Sequence, residues 1–141
     1  MKKVLKLTLI GIIGGVVLAL ILWIVLALTG NTAYYLLFNF DYIPWINNLR
    51  PIWLWGNIFH YLTCIISVIA LFYILNIKGW HKLISPYVAV YTIGGGGLFF
   101  LTALSHLPPA ANDVMAWIYW TLAHAIFGLV VGLGVKSWIK E

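Results

Sequence analysis

The chain has 141 residues, of which 64% are hydrophobic and only 8% charged, with a formal net charge of +5. A soluble domain carries about a quarter charged residues, so this composition points to a membrane protein with no room for a separate soluble domain. The lysines flank apolar runs instead of forming a basic face, which argues against nucleic acid as a partner. Cys64 is the only cysteine, so an intramolecular disulfide, a CxxC motif and a metal finger are all excluded by count.

Four stretches lack Lys, Arg, Asp and Glu: Leu7–Leu28, Asn57–Ile77, Pro86–His106 and Trp117–Val135. Each is near the roughly 20 residues that a helix needs to cross about 30 Å of hydrocarbon. The first follows Met1-Lys2-Lys3 and resembles a signal peptide, with Val25-Leu26-Ala27 as a passable cleavage site. Its apolar run is longer than the usual core of about 7–15 residues, which predicts an uncleaved anchor. Gly11 and Gly15 form a GxxxG pattern within it.

Gly30–Gly56 is too long for a simple turn and too aromatic for a solvated loop. Tyr34–Phe38 and Ile52–Trp55 read as short interfacial pieces broken at Pro44 and Pro51. They form either an anchor and lid over the bundle or a surface for a partner.

In the second span Asn57, His60, Cys64 and Ser67 recur on one helix face. Lys78-Gly79-Trp80-His81-Lys82 then predicts a tight turn, with Gly79 as the helix stop and His81 solvated. Pro86 fits the first turn of the third span, where its missing N–H costs little. Gly95, Phe99, Thr102 and His106 share a face there, and Pro108-Pro109 ends the span. Gly94-Gly95-Gly96-Gly97 has two readings. It is a groove accepting a bulky neighbouring side chain, or a break whose freed carbonyls line a polar cavity. Asn112-Asp113 begins or caps the fourth helix, where Thr121, His124, Gly128 and Gly132 align. These polar and small faces are expected to turn inward, because a polar group facing lipid finds no partner. The GxxxG pairs Gly11/Gly15 and Gly128/Gly132 serve either internal packing or a homodimer seam.

With both termini in the cytoplasm, Lys2, Lys3, Lys6, Lys78, Lys82, Lys136 and Lys140 lie inside and Arg50 outside, with Asp41 and Asp113. That asymmetry follows the positive-inside rule. Trp23, Tyr34, Tyr35, Tyr42, Trp45, Trp53, Trp55, Trp117 and Trp120 gather near the outer boundary, and Trp80, Tyr87 and Trp138 near the inner one.

His60, His106 and His124 belong to the outer half and can converge, with Asn57, Ser105, Thr121 and Asp113 nearby. Such a cluster suits a transition metal, a haem or quinone site, or a protonation switch. For a haem, His60 and His124 are expected to differ in depth by about one turn, roughly 5 Å. Equally, each histidine serves as a hydrogen-bonding tie between helices. No intramembrane carboxylate, Ser–His–Asp set or phosphate loop is present, so catalysis is not expected.

Gly11-Ile12-Ile13-Gly14-Gly15-Val16-Val17, Pro44-Trp45, Trp53–Gly56, His106-Leu107-Pro108-Pro109 and Ala123-His124-Ala125 resemble segments of small bacterial membrane proteins of the YqhR and YagU-like kind. Thr121 and Leu122 stand where that pattern carries an acidic residue before its last histidine. The resemblance implies a four-helix architecture and a bacterial cytoplasmic membrane, and it supplies no mechanism.

The expectation is therefore one all-α membrane domain over residues 1–141. It is a four-helix bundle with an aromatic interfacial segment between helices 1 and 2. The leading function is structural, regulatory or stress-related, exerted through the bilayer and through itself or other membrane proteins. No cofactor is predicted. The alternatives are histidine-based handling of a metal, haem or protons at His60, His106 and His124, and a small transporter using the glycine run. Asn57, Ser67, Thr102 and Thr121 are the expected polar interior.

Overall fold

The computed structural model describes residues 2–139; Met1 and Lys140, both used above, lie outside the described residues. Helix α1 runs Lys2–Thr29, short α2 runs Ala33–Leu36, and α3 runs Ile52–Ile77. Helix α4 covers Ser85–Leu98, a 3-10 segment at Phe99–Leu104 continues it, and α5 covers Val114–Trp138. No strand occurs among the described residues. Four of these elements are long and apolar enough to cross a membrane: α1, α3, α4 with its 3-10 extension, and α5.

Local chemistry sets the ends. Helix α3 starts at Ile52, directly after Pro51, whose extended backbone (φ −73°, ψ 144°) leads into the first turn. Ile52–Trp55 is therefore the start of the long helix and not a separate interfacial piece; proline's fixed φ suits this place. The far end closes as expected at Gly79 (φ 69°), where Trp80 N donates to Leu75 O and Gly79 N to Asn76 O. These paired bonds cap the last carbonyls of α3, and glycine takes the left-handed conformation at no steric cost. Asp113 caps α5 by accepting from Ala116 N at 2.9 Å. The third span is not one regular helix, because α4 tightens to 3-10 spacing after Leu98. His106 consequently lies beyond it, in the connection to α5.

Helix α1 packs between α3 and α5, and α4 packs along α5. Small residues set these distances. A methyl group on Gly11 would stand 2.8 Å from Ile65 Cα, and one on Gly128 would stand 2.8 Å from Tyr87 O. Gly15 faces Tyr61 and Cys64, and Gly132 faces Ile84. Both GxxxG pairs are thus filled from within the chain. Leu7, Leu22, Val68, Phe72, Phe127 and Val131 complete the buried interior.

One end of the bundle collects lysines. Lys6 Nζ donates to Trp138 O at 2.7 Å, a cation on a helix C-terminus, and Lys3 lies over the Phe72 ring. His81 was expected to be solvated at this end, but it is only 7% exposed. Its ring meets Phe72 edge-on, and its carbonyl accepts from the Tyr87 hydroxyl, so the turn folds back onto the bundle. The opposite end carries the aromatic segment.

Gly128→Ala is expected to destabilise the fold by about 1–3 kcal/mol, through overpacking against the α4 backbone. Gly94→Ala, where an added methyl meets open space, is expected to leave stability unchanged or raise it. Thermal unfolding midpoints in detergent compare the two; equal losses would contradict this packing.

Candidate functional site

His60 of α3 and His124 of α5 both line one cavity of about 100 Å³ in the aromatic half. Phe59, Thr63 and Cys64 share the α3 wall with His60, and Trp120 shares the α5 wall with His124. Leu98 and Leu101 face them, Leu18 lies at the back, and Leu36, Leu37 and Tyr42 form the roof. Thr63 and Leu98 on opposite rims are exposed. The cavity thus opens sideways between α3 and α4, two helices that meet at few points, Tyr91 Oη to Ser67 Oγ (3.3 Å) among them.

The two imidazoles are engaged differently. His60 Nε2 lies 3.1 Å from Gly15 O, and a carbonyl only accepts, so Nε2 carries the proton. His60 Nδ1 then faces Cys64 Sγ at 3.9 Å as an acceptor. His124 has the reverse arrangement: Nδ1 donates to Trp120 O at 2.8 Å. Its Nε2 keeps a lone pair, and no described group hydrogen-bonds to it.

The glycine run explains how His124 is held. A methyl on Gly95 would fall 2.5 Å from the His124 ring, and one on Gly96 would fall 3.0 Å from Thr121 Oγ1. Gly94 and Gly97 face open space. The inward pair is a groove, and the side chain seated against Gly95 is the His124 imidazole. Where α4 changes to 3-10 spacing, Trp120 Nε1 donates to Gly95 O at 2.7 Å and Trp117 Nε1 to Gly96 O at 3.1 Å. Carbonyls at this irregular stretch are therefore taken up by indoles of α5.

The other candidates are placed elsewhere. His106 is exposed, away from the cavity, and its backbone N–H donates to Asp41 Oδ2 at 3.2 Å. The three histidines therefore do not converge; His60 and His124 do. Asn57 is exposed and bonds to Trp53 O, because Gly56 is the residue of that turn that meets the bundle, at Phe38. Ser67 donates to Cys64 O at 3.0 Å. Thr102 and Thr121 keep buried hydroxyls with no hydrogen-bond partner among the described residues.

The roof is latched through Asn39, which the sequence did not single out. Asn39 is 4% exposed, donates to Ser105 Oγ at 2.7 Å and accepts from Asp41 N at 2.9 Å. With the Asp41–His106 bond, this ties the aromatic segment to the end of the 3-10 stretch. Burial and then the neighbouring Asp41 carboxylate push the Tyr42 phenol above its usual range, so it stays an uncharged hydroxyl in the roof. Trp120, read in the sequence only as a boundary aromatic, is buried in the cavity wall; its place one helical turn before His124 was the available signal.

Among the described residues no group of three or more His, Cys, Asp or Glu is placed to hold a metal. Nor do the residues fit a haem: His60 Nε2 is committed to a carbonyl, and a cavity of about 100 Å³ admits a small ring and not a macrocycle. No protein-family model, curated protein or solved structure matches this chain.

Asn39→Ala is expected to release the roof. Amide hydrogen exchange across residues 36–42 should then accelerate, while the cores of α1 and α5 stay protected. Unchanged exchange in the segment would show that the latch does not hold it.

Proposed function

We propose that this is a non-enzymatic multi-pass protein of the bacterial cytoplasmic membrane, with both termini inside. In this reading it binds a small lipophilic molecule in the outer leaflet and has a regulatory role exerted through partners in the membrane. The observation that carries the reading is the cavity shared by His60 and His124, open to the side where α3 and α4 part. Binding sites are mostly apolar concavities with a few placed polar groups, and this one has that makeup. It lies in the half opposite the lysines, which the positive-inside rule makes the outer half. The resemblance to the YqhR and YagU-like proteins agrees with this placement, and we propose membership of that kind.

Native mass spectrometry of the protein released from nanodiscs tests the binding. One small apolar adduct per chain is expected on the wild type and none on Leu101→Trp, which fills the cavity from its wall. Bare chains in both, or the same adduct in both, would contradict the proposal. Reporter fusions at the two termini test the orientation. Both are expected to report the cytoplasm, and opposite compartments would overturn it.

A further inference from the structure

The hydrogen bonds at the cavity wall say which way a ligand must bond. His60 has no free polar valence, since its Nε2–H is given to Gly15 O and its Nδ1 faces the Cys64 thiol. Thr63 donates to Phe59 O at 2.7 Å in its own helix. His124 is 9% exposed, and its Nδ1–H is given to Trp120 O. That leaves Nε2 as the open acceptor of the α5 wall, among leucine, phenylalanine and tryptophan side chains, with the Tyr42 hydroxyl in the roof above. No carboxylate lines the cavity to pair an imidazolium, so the neutral ring is the form this wall accommodates. An acceptor that faces an apolar cavity without a donor is unfavourable, and no described group hydrogen-bonds to this one.

Resting on the reading of this cavity as a binding site, we propose that its ligand is a neutral lipid-soluble hydroxyl compound. A phenol, a reduced quinone ring or a long-chain alcohol shares the required chemistry. The hydroxyl donates to His124 Nε2, the ring or first carbons fill the cavity, and the apolar tail leaves between Thr63 and Leu98 into the outer leaflet. The size agrees, because about 100 Å³ holds one small ring or a short run of chain. The lateral opening agrees as well, since a molecule dissolved in lipid needs no aqueous path. Gly95 serves this arrangement by letting the imidazole sit close against α4, with the ring also tilted against Trp120 at 4.4 Å between centroids.

Tritiated 4-nonylphenol is the probe, added to nanodisc-embedded protein and read by scintillation proximity. The competitors are unlabelled 4-nonylphenol and its methyl ether, 4-nonylanisole, which has the same tail and ring but no donor. The phenol should bind saturably, with the ether about tenfold weaker, because the ether leaves the acceptor dry and unpaired. His124→Phe, which keeps an aromatic ring on Trp120, should bring the phenol down to the affinity of the ether. Leu101→Trp should abolish binding of both. Equal affinities of phenol and ether on the wild type would overturn the hydroxyl assignment and leave the binding site standing. Absence of saturable phenol binding, or binding that Leu101→Trp does not disturb, would overturn the site as well. Comparing two ligands on the wild type keeps the test decisive even where a histidine variant folds poorly.

Discussion

The imidazole of His124 lies against Gly95, and the rest of the aromatic half is arranged around that contact. A side chain at Gly95 would collide with the ring. The backbone of α4 therefore comes close to α5, close enough for the indoles of Trp120 and Trp117 to reach the carbonyls of Gly95 and Gly96. Lower in the same interface, Gly128 and Gly132 admit Tyr87, Val88 and Ile84. Helices without much water between them are held by such close approach and by hydrogen bonds across the seam, more than by burial of oil from water.

Close packing on one side leaves a gap on the other. Since α4 is drawn onto α5 and α3 onto α1, the α3–α4 side is closed only where residues such as Tyr91 and Ser67 reach across. Towards the aromatic end the walls separate, and the Asn39–Ser105 and Asp41–His106 bonds fix a roof across the gap. The cavity is thus a consequence of how the glycines pair the helices, and two histidines face it together with Tyr42, Thr63 and Cys64. A carbonyl partner fixes each ring's proton. His60 is turned into a tie between α3 and α1, whereas His124 presents a lone pair to the cavity.

Much of this was legible in the chain. Apolar runs free of charge marked the four long helices, because only about 20 such residues cross hydrocarbon, and the lysines marked one end. Face periodicity correctly turned His60, Cys64, His124, Gly128 and Gly132 inward. It failed for Asn57, one residue out of phase with Gly56, whose close fit to Phe38 sets the face there. It failed for His106 because periodicity assumes a regular helix, and α4 tightens after its glycines. Ile52–Trp55 looked interfacial by composition, although Pro51 ahead of it was a visible helix-start signal. The burial of His81 and the Asn39 latch depend on contacts between segments distant in sequence, and no local pattern encodes them.

The account comes down to where the protons sit on one ring. Nitrogen-15 NMR of the histidine side chains in the nanodisc-embedded protein, assigned through His124→Phe, reads this directly. The prediction is a neutral His124 protonated at Nδ1, with an unprotonated Nε2 whose signal shifts when a hydroxyl compound is added. A ring protonated at Nε2, alone or together with Nδ1, would contradict it.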